Sequence, residues 1–245
     1  MIPIYHLVEE ESGRVIIAAH EIAGFFVQPD RMDSGDDVLI LGSARESVPL
    51  GRDISDVELR VVNAAGEAIG SYHIGRVMLR SEFGGDGSPR QKGFVATFYG
   101  SSRPYSAAGA IWHRWASRSP VLRGEWMEYP VESHRSWLHV VQQSWFEAGR
   151  EARRYSSGEI CAMDGRRILN EGSLFCELGE AVNGVGGYFG SNLDALDDCL
   201  LSSQNDAPFS LVWEYYAAER HNLDPTLVAS IVDIFTEYGV MITFR

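Results

Sequence analysis

The stretch from Tyr188 to Leu200, Tyr-Phe-Gly-Ser-Asn-Leu-Asp-Ala-Leu-Asp-Asp-Cys-Leu, constrains this chain more than any other. An aromatic pair followed by Gly190 suits a tight backbone bend into a helix. Ser191 is placed to cap that helix, with Asp194 three residues on as an acidic form of the capping box. Leu193, Leu196 and Leu200 recur at helical spacing with Cys199 beside them, so one face is built for a core. Asp194 and Asp198 stack one turn apart on the opposite face, and Asp197 sits on the border. Carboxylates at that spacing repel, and only Asp194 is close enough to the helix start for the dipole to offset it. Spacing alone leaves two readings: a solvated acidic face, the commoner fate of a charge run, or a preformed carboxylate cluster for a cationic pocket.

The register of the whole motif favours the second. Tyr188-Phe189-Gly190, Asn192-Leu193-Asp194-Ala195-Leu196 and Asp198-Cys199-Leu200 together resemble the signature of the barstar family, intracellular inhibitors of the ribonuclease barnase. The resemblance runs from about Glu159 to the end of the sequence and leaves the first part of the chain uncovered. It implies an α/β domain in which a three-stranded parallel sheet is packed by helices. It also implies a role: the helix at 191–202 and the loop at 184–190 would plug a nuclease active site as a phosphate mimic. A ribonuclease cleft is cationic, and arginine binds carboxylate through strong, often bidentate hydrogen bonds. By resemblance, Asp198 fills the catalytic phosphate site and Asp194 supports it. Tyr188 makes an aromatic contact at the cleft rim, Gly190 and Asn192 shape the loop, and Glu237 meets the nuclease edge. Asp197 stands where family members often carry tryptophan, exchanging an apolar contact for a charge.

Charge is distributed to match. Of a net −13 over 245 residues, the part from Gly158 onward holds 14 acidic and 4 basic residues, a net of −10. Such a domain repels nucleic acid and is steered toward basic proteins. Charge points to a basic partner, and the resemblance implies which: a secreted or toxin ribonuclease of barnase type, with no direct nucleic-acid or membrane contact. The opening Met1-Ile-Pro-Ile-Tyr meets Glu9-Glu10-Glu11 before an apolar core develops, and no run is long enough to span a bilayer. A cytoplasmic protein is expected. Three cysteines without a short-range pair, Cys161, Cys176 and Cys199, predict buried, reduced thiols.

Organisation along the chain predicts two domains: 1–157, β-rich α+β with a long helix at its C-terminal end, and 158–245, barstar-like. Runs at 4–8 and 14–19 flank a polar turn and predict a hairpin. Val57-Glu58-Leu59-Arg60-Val61 alternates, Asn63–Gly66 turns into 67–74, and 76–80 alternates again. A loop is predicted at 84–89 and a strand at 94–99. Trp112, Trp115, Trp126, Trp137 and Trp145 are read as core rather than ligand platforms. A helix over about 133–154 carries the stripe Trp137, Val141, Trp145, Ala148 and Ala152, with Arg150, Arg153 and Arg154 at its end and a stop at 156–158. Beyond it, strands are predicted at 160–163, 208–213 and 240–244. Asn170 caps one helix, and Asp224-Pro225 opens another that Gly239 ends.

No pattern carries catalytic chemistry. Gly184-Val-Gly186-Gly187-Tyr188-Phe189 fails the dinucleotide fingerprint at its last glycine, and the aspartates that follow would repel a pyrophosphate. Its glycines are read as letting backbone lie against a partner. The scattered histidines, His113 among them, form no metal-ligand pair, and neither a cofactor nor a metal is expected. The chain is read as an inhibitor and not an enzyme. Two rival classes are an acidic adaptor for a basic non-nuclease partner, and an N-terminal enzyme regulated by the barstar-like domain.

Overall fold

The computed structural model describes residues 2–31, 37–44, 48, 50–84, 92–100, 102–151, 158–201, 209–219 and 223–245. Most of the predicted 84–89 loop, the stop at 156–157, and Ala152, Arg153 and Arg154 lie outside these residues. The chain divides into two compact units, Met1–Pro120 and Val121–Arg245.

In the first unit, strands β1 (Tyr5–Glu9), β2 (Arg14–Ala23), β3 (Val38–Ala44), β4 (Asp53–Val62), β5 (Ala68–Phe83) and β6 (Gly93–Phe98) close into an antiparallel barrel. Their order is β1-β2-β3-β6-β5-β4, and β4 returns to pair with β1. Closure leaves no unpaired strand edge. Alternation decides which side chains face inward: Val57, Leu59 and Val61 of β4 are fully buried, as is Leu7 of β1. The β4–β5 turn is set by Asn63, whose Oδ1 accepts from the amides of Ala65 and Glu67 at 2.9 and 3.0 Å. The sequence separates 67–74 from 76–80, but β5 runs through both as one strand of 16 residues. Gly75, at φ +76°, takes up the irregularity that otherwise reads as a break. Helix α1 (Ala108–Trp115) follows, its buried Trp112 donating an indole hydrogen bond to the Tyr72 hydroxyl at 2.8 Å.

The second unit is built on three parallel strands, β7 (Ile160–Asp164), β8 (Ser210–Glu214) and β9 (Met241–Phe244), in the order β7-β8-β9. Phe209, Leu211 and Trp213 are buried together, as their alternation predicts. Among the described residues, α-helices α2 (His134–Glu147), α3 (Glu171–Asn183), α4 (Leu193–Leu201), the short α5 (Tyr216–Glu219) and α6 (Pro225–Glu237) accompany the sheet. Asn170 caps α3 through Oδ1, 2.8 Å from the Ser173 amide, and the Ser173 hydroxyl answers the Asn170 amide at 2.8 Å. Asp224 caps α6, with Pro225 as its first residue. Among the described residues no helix is long and apolar enough to cross a membrane.

The units divide at Pro120/Val121, whereas the sequence places the change of domain at 157/158. Helix α2 therefore belongs to the second unit. It ends at Glu147, earlier than the predicted 154, because Gly149 leaves helical geometry at φ +61°. Arg150 lies beyond the helix and stacks on Trp145, 5.0 Å from the ring centroid. Helix α2 packs on α3 closely enough that a Cβ at Gly172 would come within 2.9 Å of the Arg135 backbone nitrogen. Covered by β7 and by α2, helix α3 is buried along almost its entire length. Trp112, Trp126, Trp137 and Trp145 are all core, while Trp115 is half-buried.

All three cysteines are free and buried. Burial pushes the Cys161 thiol up to about 11 and Cys199 up to about 12 and raises Cys176 well above the ordinary thiol range, with neighbouring carboxylates adding to each. Thiolate is the reactive form. A disulfide-exchange reagent at pH 8 is therefore expected to find no fast-reacting thiol in the folded protein and three after denaturation. A thiol titrating at the rate of free cysteine under native conditions would contradict this packing.

Candidate partner-binding site

Gly190 opens the acidic segment with φ +91°, and a Cβ there would stand 2.9 Å from the Leu196 backbone. Only glycine lets the chain pass so close to α4 while turning left-handed. The helix is then capped by Asn192: its Oδ1 accepts from the Ala195 amide at 2.8 Å and its carbonyl from the Leu196 amide at 3.0 Å. This corrects the assignment of the cap to Ser191. The Ser191 hydroxyl is instead engaged by Tyr188, whose OH donates to it at 3.3 Å. Asn192→Ala is expected to lower stability by about 1 kcal/mol, and Ser191→Ala by less. Equal effects in denaturant titrations would argue against Asn192 as the cap.

The face of α4 turned to solvent carries Asp194 and Asp198, both exposed, while Leu196, Cys199 and Leu200 are buried beneath them. Asp197 is half-buried at the border and accepts a hydrogen bond from the Tyr238 phenol. The phenol is pushed up first by partial burial, then by that bond and by the negative charge of Asp197, Glu237 and Asp198. The end of α6 thus brings the exposed Glu237 into the same negative field as Asp197 and Asp198. Among the described residues no arginine, lysine or histidine forms an ion pair with Asp194, Asp197, Asp198 or Glu237. Nor does any group of three or more His, Cys, Asp or Glu among them stand ready to hold a metal ion.

The loop before the helix is fastened from within its own unit. Gly179 of α3 and Gly187 of the loop lie so close that a Cβ on either would collide with the other's carbonyl. The Asn183 side-chain amide donates to the Tyr188 carbonyl at 2.6 Å, and the Gly187 amide to the Gly184 carbonyl at 2.8 Å. Gly187 thus serves contact with α3, where the sequence suggests contact with a partner. Deeper still is Glu180, 3% exposed, whose Oε2 accepts from the Gly124 amide at 2.8 Å. Burial raises its carboxyl, as does the nearby charge of Glu177, and the hydrogen bonds of the Gly124 and Gly186 amides oppose them. One buried carboxylate therefore ties the turn before α2 to the loop. Its neighbour Glu177 accepts from the Asp164 amide at 3.0 Å and lies 3.5 Å from Arg167.

Tyr188 departs most from the sequence expectation. Its ring is 2% exposed and its hydroxyl accepts from the Gln142 side chain at 3.2 Å. Phe146 of α2 packs over it edge to face, centroids 5.4 Å apart. A rim contact by the Tyr188 ring itself is thus closed off by α2. Sequence reading missed Glu177, Glu180, Gln142, Phe146 and Tyr238. A partial signal for the first two was present: Leu174, Phe175, Cys176 and Leu178 of α3 spread beyond a single stripe, the mark of a helix covered on more than one side.

A parallel sheet backing a helix whose open face carries carboxylates unpaired among the described residues defines a small α/β module that presents negative charge. Residues 159–241, the C-terminal part of the chain, match the family described as Barstar (barnase inhibitor); the N-terminal part matches no family. No curated protein matches the chain significantly.

Proposed function

We propose that the second unit inhibits a barnase-type ribonuclease by placing the acidic face of α4 in the enzyme's phosphate-binding cleft. The observation that carries this reading is the set of exposed, unpaired carboxylates, Asp194 and Asp198 on α4 with Glu237 from α6, within a segment matching the barnase-inhibitor family. A nuclease built to bind phosphates meets negative charge already held in position, so little ordering is needed on association. Asp198 takes the catalytic phosphate site and Asp194 supports it. Asp197, tied to Tyr238, contributes charge from the flank. Gly190 and Asn192 set the entry of the helix, and Glu237 meets the edge of the enzyme. The protein acts in the cytoplasm as an antitoxin or immunity protein, and no catalytic step belongs to it.

The test is RNA cleavage by barnase titrated with the full-length protein. Loss of cleavage at a one-to-one ratio supports the reading. Full activity at excess inhibitor, with no complex on gel filtration, overturns it.

A further inference from the structure

We propose that Phe146, on the helix outside the family match, supplies the aromatic contact to the ribonuclease that Tyr188 is too deeply buried to make. The proposal rests on the inhibitor reading above and extends its surface onto α2.

A single exposed phenylalanine needs no explanation in itself. Three observations set this one apart. First, Phe146 is 55% exposed although it lies one residue from the fully buried Trp145, so α2 turns one aromatic in and the next out. Second, its ring rests on Tyr188, centroids 5.4 Å apart, which restricts its motion before any partner arrives. Third, Tyr188 is held by Gln142 and Ser191, and the latter lies in the turn that opens α4. Phe146 therefore sits over Tyr188, the residue tied to the turn that leads into the acidic helix. The occupant that follows is the same basic ribonuclease. Its cationic cleft meets the carboxylates, and the apolar stem or aromatic side chain beside that cleft meets Phe146. An aromatic next to a charged centre excludes water and strengthens the ion pairs it flanks. Because α2 lies outside residues 159–241, this contact would be a specificity element added to the inhibitor module.

The experiment uses the full-length protein and barnase as the probe. Dissociation constants and melting temperatures are measured for Phe146→Ala, Phe146→Tyr and Asp198→Ala. Phe146→Ala is expected to weaken binding tenfold or more with the melting temperature nearly unchanged, and Phe146→Tyr to restore it. If Phe146→Ala binds like the parent protein while Asp198→Ala is severely weakened, the proposal falls and the inhibitor reading stands. If Phe146→Ala loses stability but the folded fraction binds normally, its role is structural and the proposal falls. If the unaltered protein does not bind barnase, the inhibitor reading fails and this proposal with it.

Discussion

Asp198→Ala is expected to weaken ribonuclease binding by on the order of 3–5 kcal/mol, roughly a hundredfold to several thousandfold in Kd. The magnitude is that of desolvated charge pairs in general, barnase–barstar pairs among them. Truncation leaves the enzyme's cationic groups desolvated without a counter-charge, which is why the loss exceeds that of a rim ion pair. Asp198→Asn, similar in shape but neutral, is expected to lose most of the same energy. Folding should not suffer. Asp198 is exposed, and removing it relieves repulsion with Asp194 one turn away. Glu11→Ala, an exposed charge on the barrel unit, is the control and is expected to change affinity little. Titration calorimetry with thermal melts separates the two effects. An unchanged Kd for Asp198→Ala would sink the phosphate-mimic mechanism and favour an acidic adaptor.

The second large effect concerns the division of the chain. A fragment spanning 121–245 is expected to unfold cooperatively, whereas 158–245, the length suggested by sequence, is expected to be partly or wholly unfolded. The shorter piece lacks the buried Trp126, Trp137 and Trp145 and strips α2 from α3. Burial of one large apolar side chain is worth about 1.5–3 kcal/mol, so losing three removes an amount comparable to the whole net stability of a domain, about 5–15 kcal/mol. The shorter piece also loses the Gly124 amide that serves Glu180, leaving part of a buried carboxylate without its donor. Far-ultraviolet circular dichroism against urea distinguishes the fragments. Equal, steep transitions would show that α2 is dispensable.

Much of the architecture was legible where local chemistry decides it. Val57, Leu59 and Val61 alternate and are buried; Asn170 and Asp224-Pro225 look like helix starts and are. The acidic face of α4 was legible because helical spacing alone sorts Asp194 and Asp198 from Leu196 and Leu200. Misreadings arose where a distant element intervened. Ser191 reads as the cap until the Tyr188 hydroxyl claims it and Asn192 takes the role. Tyr188 reads as a contact residue until α2 covers it, and nothing in residues 188–200 foretells that cover. Gly75 broke β5 on paper because a left-handed glycine inside a strand is indistinguishable, by pattern, from one in a turn.

The order of the parallel sheet also governs when the acidic surface is ready. Strand β8 sits in the middle, yet β7 reaches it only across α3 and α4, and β9 only across α5 and α6. Pairings of this kind are non-local and slow to form, and chains emerge from synthesis at about 5–20 residues per second with their N-terminal parts first. The carboxylates of α4 are thus translated before the last strand behind them, Met241–Phe244, can dock. Charge precedes geometry in the life of each molecule. Completion of the sheet behind α4 waits for β9, so changes at Met241 to Phe244 are expected to slow folding without touching the acidic face.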